Sequence, residues 1–425
     1  MFIFAKCRHQ GVRFICAVAS IGASVSVMAA TIETPLSLLD AVRLAESQAP
    51  NIAAHEAAVS SAKSQVGPAG QLPDPQLVVG IDNLPVTGGD AFSPTNDFMT
   101  MRKIGVMQDF PRREKRQLRS ERAQAAAARE QALLTNQRLT VRESVARAWI
   151  ARTTAEHRLE LLKSLEPRAQ AQVAAATAAL SAGRGSAADA IAAKAAQAML
   201  ADRISQAARE VEDARTEFAR WLPDEVDRPL GSAPNWSDLG VEPDAIIVNA
   251  AHHRELLAYD ASERMATTDV ALARAEKRPD WAVEFDYAQR GPRYSNMVSL
   301  EFRVGLPLFA GSRQDPTIAS KLAAVTQIQA EREDARRMHT ADLRKTVTAW
   351  RNARERVERY ERELVPLADD RAEAALAAYR GGHGDLQATL MAFDQAVEQR
   401  IAYTELQNTL GQSWAALHFA FPEEH

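Results

Sequence analysis

The chain is a tandem repeat of itself. Leu165-Glu166-Pro167 matches Leu364-Val365-Pro366, with the prolines 199 residues apart, and Gly183-Arg184-Gly185 matches Gly382-His383-Gly384 at the same offset. Phe110 and Phe309 keep the offset. Upstream it drifts: Pro73-Asp74 against Pro279-Asp280 gives 206, and Asp40-Ala41 against Asp244-Ala245 gives 204. Duplication followed by loop insertions leaves this pattern. The period is far longer than a solenoid repeat, so the unit that was copied is itself large. The Pro/Gly/Ser-containing stretch Leu230 to Gly240 separates the copies, which span 31–239 and 240–425.

Each copy predicts one order: a helix (Leu38 to Val66; Asp244 to Lys277), a β-hairpin (76–110; 280–309) and a long helical hairpin (112–222; 313–420). From Arg112 to Leu180 there is no glycine and one proline, Pro167. A continuous helix of that length would measure ~100 Å, more than a globular core needs. Leu134, Val141, Val145, Ala148, Ala155, Leu159 and Leu162 recur at spacings built from three and four, as in a coiled-coil seam. Leu343, Val347, Trp350, Val357, Leu364 and Leu367 repeat the pattern in the second copy. About 81 alanines allow such helices to pack closely. Pro167 and Pro366 should kink or break the two rods. The charged run Arg351 to Arg362 reads as a solvated face laced by salt bridges.

Strand periodicity is clearest in the second copy. Trp281, Val283, Phe285 and Tyr287 alternate with Ala282, Glu284, Asp286 and Ala288, while Val298, Leu300, Phe302 and Val304 alternate with Ser299, Glu301 and Arg303. An apolar face backed by a small or charged one suits a strand with lipid on one side and water on the other. In the first copy Leu77, Val79 and Ile81 alternate, whereas Arg102 and Lys103 leave the parity of the run Phe98 to Phe110 open. Four strands cannot close a barrel, and open edges in lipid leave backbone groups unsatisfied. Membrane strands would therefore have to be shared among protomers. The fold class is mainly α with a small β part: duplicated coiled-coil hairpins, and four strands contributing to an oligomeric transmembrane barrel.

At the N-terminus Lys6, Arg8 and Arg13 precede an apolar run from Phe14 to Met28, ending in Ala29 and Ala30. This is the order of a secretory signal peptide over 1–30. Cleavage removes three basic residues and no acidic one, taking the net charge from −4 to −7. It also removes both cysteines, Cys7 and Cys16. Cys16 precedes its apolar run, which is the wrong order for lipidation. No later stretch of about 18 apolar residues predicts a membrane helix. Near-balanced charge speaks against a nucleic-acid partner.

Together the signal peptide, the duplicated helix-hairpin-helix order and the glycine break after each long helix resemble the TolC family of outer-membrane efflux proteins. The resemblance implies a homotrimer with a twelve-stranded barrel in the outer membrane and a helical tunnel in the periplasm. It also implies an inner-membrane RND pump and a periplasmic adaptor (membrane fusion) protein as partners. The first hairpin is similar to the heavy-metal branch, CzcC and CusC, through Leu72-Pro73-Asp74-Pro75, Asp82-Asn83-Leu84-Pro85-Val86, Met99-Thr100-Met101-Arg102, Gly105-Val106-Met107-Gln108 and Phe110-Pro111. The implied function is a passive conduit for heavy-metal cations, with no enzyme activity, cofactor or resident metal. The implied adaptor-docking tips are Gly183, Arg184, Gly185 and Ser186, with Gly382, His383, Gly384 and Asp385. Ser186 and Asp385 suit helix caps. Asp189 falls where the family has an acidic residue at its periplasmic constriction. The expected basic partner is replaced by Gly384, leaving Arg380 as a nearby alternative. The lipid-facing residues are Trp281, Val283, Phe285, Tyr287, Val298, Leu300, Phe302 and Val304. Proline at Ala187 should disturb the first tip.

Other readings remain open at this level: a TolC-like channel for drugs or for type I protein secretion, or a periplasmic coiled-coil adaptor or structural protein. Gly183 to Ala188 also fits a dinucleotide fingerprint, but follows an Ala-rich helix instead of a strand. His252-His253 point ~100° apart on a helix and are a poor metal pair. Met99, Met101 and Met107 could meet soft cations, yet on a membrane hairpin they read as lipid-facing packing. No Ser/His/Asp set, HExxH motif or phosphate loop is present.

Overall fold

A computed structural model describes residues 34–249 and 253–421. The segment 1–30, expected to be a signal peptide, and His252 lie outside the described residues. In the first copy α1 (Leu38–Gln48), α2 (Pro50–Ser64) and α3 (Val66–Ala69) lead into β1 (Gln76–Asp82) and β2 (Met101–Phe110). The first helical hairpin is α4 (Arg113–Lys163), α5 (Glu166–Ser181) and α6 (Ala187–Ala219). The second copy runs α7 (Pro243–Val248), α8 (Leu257–Ala275), β3 (Trp281–Gln289), β4 (Met297–Val304), α9 (Gln314–Arg359), α10 (Val365–Arg380) and α11 (Leu386–His418).

Two expected helices are broken. Pro50 splits the first: Ala49 takes an extended backbone, as a residue before proline does, and Pro50 restarts the helix. In the second copy α7 ends at Val248, and a 3-10 turn over Arg254–Leu256 precedes α8.

Both rods meet their proline, and each copy answers it differently. Pro167 and Pro366 both occupy the second position of a helix, where the missing N–H costs little. In the first copy Ser164 and Leu165 form a turn between α4 and α5. In the second, α9 passes through a π-helical segment, Tyr360–Leu364, straight into α10. The wider turn lets the helix continue past the lost hydrogen bond. α4 has 51 residues and α9 has 46, which makes rods of about 75 and 70 Å.

The main core lies where α1, α4, α9 and α11 meet the linker. Trp149 and Trp350 are fully buried. Trp149 Nε1 donates to the Leu36 carbonyl at 3.1 Å and Trp350 Nε1 to the Trp236 carbonyl at 2.9 Å. In each copy a tryptophan of the long helix thus holds the segment leading to that copy's first helix. Trp414 Nε1 adds a bond to the Asp238 carbonyl at 2.9 Å.

The sheet order is β1-β2-β3-β4, all antiparallel. Its central pairing joins the copies, with Phe110 opposite Trp281 and Arg102 opposite Gln289. The drop of seven in the offset between Pro73 and Phe110 falls in this region: the β1–β2 connection, 83–100, is much longer than the β3–β4 connection, 290–296.

Candidate functional site

The sheet has two unlike faces. Directly opposed residues share a face, so the register settles the parity that Arg102 and Lys103 obscured. Leu77 stands beside Val106, Val106 beside Phe285, and Phe285 beside Leu300. Val79, Ile104, Tyr287 and Val298 make the next row. Trp281, Val283, Phe302 and Val304 continue this face toward the helices, where Trp281 stacks on Phe110 with ring centroids 4.3 Å apart. Apart from the half-buried Phe110 and Val283, these large apolar side chains are exposed on all four strands.

The opposite face carries Lys103, Glu284, Asp286, Glu301 and Arg303. Met101 and Met107 belong to it as well, paired with Asp82 and Glu284. This corrects the lipid-facing reading of those two methionines. Met107 Sδ receives an N–H from Arg303 at 3.1 Å. Met99, outside β2, is exposed. In the single chain the outer edges of β1 and β4 have no strand partner among the described residues.

A buried lysine that sequence reasoning missed ties the sheet to the helices. Lys115 is 2% exposed and spends all three ammonium hydrogens: on Glu276 at 3.0 Å, Asp280 at 2.8 Å and the Arg278 carbonyl at 2.9 Å. Asp280 also accepts from the Arg112 backbone N–H at 2.9 Å. Partial burial opposes the charge on Asp280, yet the Lys115 and Arg112 bonds prevail and hold its pKa below the usual range. Its signal in the sequence was the recurring Pro-Asp landmark at Pro279-Asp280. Nothing local named Lys115 as the partner.

At the far end, both glycine turns have the same geometry. Gly183 and Gly382 take φ of +72° and +77°, the left-handed region that favours glycine. Arg184 N donates to the Ala179 carbonyl and Gly183 N to that of Leu180; His383 and Gly382 do the same to Ala378 and Tyr379. Each is a Schellman turn. Ser186 then accepts from Asp189 N at 3.1 Å while the Asp189 carboxylate accepts from Ser186 N at 2.9 Å, a reciprocal capping box. Hydrogen bonding to the Asp189 carboxylate, from the Ser186 backbone N–H first and then from the Ser186 hydroxyl, lowers the Asp189 pKa. Asp385 accepts from Ala388 N at 3.1 Å. Arg184, His383, Arg380 and Ser186 are exposed, as is Gly384, while Gly185 is half-buried. No ion pair joins Asp189 to Arg380 among the described residues.

Ala187 is the first residue of α6. Proline is favoured there, so the substitution expected to disturb the tip is a mild one. Gly183 is the sensitive position. The tips of the two copies also pack together: Leu386 sits with Ala176 and Ala193, beside Tyr379. Tyr379 was missed. Burial, helped by Asp189 and Asp385, raises its pKa, and its hydroxyl has no hydrogen-bond partner. Above the tips, Arg203 of α6 pairs with Asp394 and Glu398 of α11 at 3.0 and 2.8 Å. Asp369 of α10 holds Arg168 of α5 at 3.1 Å and Arg400 of α11 at 2.6 Å.

His253 is buried and stacks on His339, centroids 4.7 Å apart, with His339 Nε2 on Glu255 at 2.8 Å. The stacked rings do not converge on a common point, and among the described residues no group of three or more His, Cys, Asp or Glu is placed to hold a metal. No helix among them is long and apolar enough to cross a membrane.

The family model "Outer membrane efflux protein" matches residues 41–222, most of the first copy. No curated protein sequence matches the chain. Among solved structures, a membrane protein from Pseudomonas aeruginosa shares 15% identity at TM-score 0.76, covering 90% of this chain and 93% of that one. CusC shares 12% at TM-score 0.75, covering 91% and 92%. The outer membrane protein VceC from Vibrio cholerae shares 17% at TM-score 0.74, covering 90% and 95%. The chain therefore has the fold of these proteins along nearly its whole described length: long helical hairpins with a four-stranded antiparallel sheet.

Proposed function

We propose that this protein is the outer-membrane channel subunit of a tripartite RND-type efflux system. It acts as a passive conduit with its strands in the outer membrane and its helices in the periplasm of a Gram-negative cell. The observation that carries this reading is the sheet. One face is apolar and exposed over four strands, the other is charged, and both edges are unpaired among the described residues. Lipid suits the first face and a water-filled lumen the second. Three copies joined β4 to β1 would close twelve strands and satisfy both edges. The lipid-facing set is then Trp281, Val283, Phe285, Tyr287, Val298, Leu300, Phe302 and Val304.

The exposed Schellman turns at Gly183–Ser186 and Gly382–Asp385 are the surface offered to a periplasmic adaptor, with the pump beyond it. Asp189 and Arg380 lie near the narrow end. The cargo we assign is heavy-metal cations. Support comes from the first-hairpin resemblance and from the carboxylates on the charged face. Growth of a deletion strain tests it across Zn, Co, Cd, Ni, Cu and Ag, with dyes and detergents in parallel. Sensitivity confined to one metal group is the expected result. Sensitivity to dyes and detergents alone would replace the cargo and leave the channel. Normal growth throughout, with the protein found in the soluble periplasm, would overturn both.

A further inference from the structure

Within the four strands, among the described residues, a single charge stands on the apolar face. Ile81 pairs with Arg102 and Arg102 with Gln289, so Arg102 occupies the row beyond Val79, Ile104, Tyr287 and Val298, on their side of the sheet. It is half-buried and forms no ion pair or side-chain hydrogen bond among the described residues, and its Nε is shielded from solvent without an acceptor. The polar face treats its cations differently: Lys103 lies 3.4 Å from Asp82, and Arg303 pairs with Glu284 and Glu301. β2 is an inner strand, flanked by β1 and β3. Joining copies through β4 and β1 leaves those neighbours in place and sets no strand of another copy beside Arg102.

The level of this charge is a second observation. α4 follows Phe110 and α8 precedes Trp281, so Arg102 lies at the end of the sheet away from the helices. The eight residues from Arg102 to Phe110 measure ~27 Å along the strand. A tilt of about 40° leaves ~20 Å of depth, to which the long arginine side chain adds its reach. That fits an apolar band about 25 Å tall, with the stacked Phe110 and Trp281 at its inner border. A charge in mid-band is costly, whereas one at the outer border meets the lipid headgroups.

The turn beyond this row carries two further arginines. Arg290 is used by the fold: its Nε donates to the Ser295 carbonyl at 2.8 Å and its Nη1 to the Phe98 carbonyl at 3.2 Å. The long β1–β2 connection is thereby held against the turn, so closely that a Cβ at Gly291 would collide with the Thr95 carbonyl. Arg293 is exposed and has no polar partner among the described residues. The acids of the connection, Asp90 and Asp97, form no ion pair with any of these arginines among the described residues.

We propose that this outer border binds a phosphorylated glycolipid of the outer leaflet, with Arg102 holding a phosphate and Arg293 as a second contact. The inference rests on the membrane reading above and adds a lipid site to it. A guanidinium presents paired N–H donors that match phosphate geometry. The apolar rows directly below Arg102, from Ile81 and Val79 to Val298, suit the acyl chains of the same molecule. A free phosphate ion would engage the arginines alone and leave these rows unused.

The test reconstitutes the full-length protein in phosphatidylcholine nanodiscs and titrates it with bisphosphorylated lipid A or with lipid A stripped of both phosphates, bound lipid being counted by native mass spectrometry. Wild type should prefer the phosphorylated form by about tenfold or more. Arg102→Gln should remove most of that preference, and Arg102→Lys should keep part of it, because the charge remains while the fork is lost. Arg293→Gln, in an exposed turn, should reduce the preference by less, and keeps the test open if Arg102→Gln fails to insert. Equal binding of the two lipids by wild type overturns the site. So does a preference left unchanged in every variant that inserts, and so does displacement of bound lipid by equimolar inorganic phosphate. A wild-type protein that stays soluble without detergent and never enters the nanodiscs would remove the membrane reading itself, and the lipid site with it.

Discussion

Replacing Lys115 with methionine should loosen the junction between sheet and helices. Methionine keeps the buried stem but removes three polar contacts of 2.8–3.0 Å. Hydrogen bonds to charged groups are worth about 1.5–3 kcal/mol each, and breaking a buried ion pair costs about 3–5 kcal/mol. Here the two carboxylates keep access to water, with Glu276 and Asp280 side chains 46% and 36% exposed. Resolvation recovers part of the loss, so the net effect should be about 3 kcal/mol. Urea unfolding of detergent-solubilised protein, followed by tryptophan fluorescence, reads this as a lowered midpoint. A cycle with Asp280→Asn should show a coupling of at least about 1 kcal/mol. The pH dependence supplies a sign. Asp280 titrates below its unfolded value, so its contribution is present above about pH 4 and disappears as the pH falls through its folded pKa. The difference between Lys115→Met and wild type should therefore shrink in acid. A variant within 0.5 kcal/mol of wild type at pH 7, or strict additivity in the cycle, would refute the argument.

His253 is held down to about 4 by burial, with His339 and Arg254 adding repulsion. A depressed histidine stabilises the fold while neutral. Stability should fall by about 3 kcal/mol as the pH drops from 6.5 toward 4, and His253→Phe should flatten that slope in urea midpoints taken across the range. Gly183→Val forces a β-branched residue to positive φ and should cost about 1–2 kcal/mol locally. Hydrogen exchange at the α5–α6 turn would register it, as would cross-linking to the proposed adaptor, whereas Ala187→Pro should change neither. Phe285→Lys places a charge on the apolar face and should cost about 2–4 kcal/mol at mid-bilayer depth, read as lost outer-membrane insertion with the helices still folded by circular dichroism. Trp350→Phe leaves the buried Trp236 carbonyl without its donor and should lower stability by about 1–3 kcal/mol in the same urea assay.

Features written in local periodicity could be read from the sequence. The α4 and α9 rods follow from long glycine-free runs, and β3 follows from strict alternation from Trp281 to Tyr287. The glycine turns with Ser186 and Asp385 as caps follow from short-range backbone chemistry. Features set by partners far along the chain could not be read. Nothing near Lys115 announces Glu276 or Asp280, more than 160 residues away. The parity of β2 was hidden because Arg102 and Lys103 are adjacent charges on opposite faces, and only pairing with β3 decides between them. The methionines followed that parity to the polar face. The break at Ala49-Pro50 is a local signal, carried by Pro50 and its effect on the residue before it. Tyr379 was passed over because its neighbours Asp189 and Asp385 come from other turns.

The copies differ most where their roles in the sheet and rods allow it. A seam between β2 and β3 demands register, and nine residue pairs keep it from Arg102–Gln289 to Phe110–Trp281. A loop beyond the strands demands nothing of the sort, and there the first copy carries its extra residues. The long rods demand continuity of the buried face but not of every backbone bond. Pro167 can therefore end a helix in a turn, while Pro366 is absorbed by a π segment, with Leu165 of one copy buried and the equivalent Leu364 only half-buried. The tips demand left-handed glycine at one position and a cap three residues later, and both copies satisfy this with different capping residues. What two copies of one unit have retained is the geometry of the sheet seam, the tryptophan clamps and the turns. A channel built from this chain would need all three in each copy, because each supports a different level of the structure: the membrane, the middle of the rods and the periplasmic end.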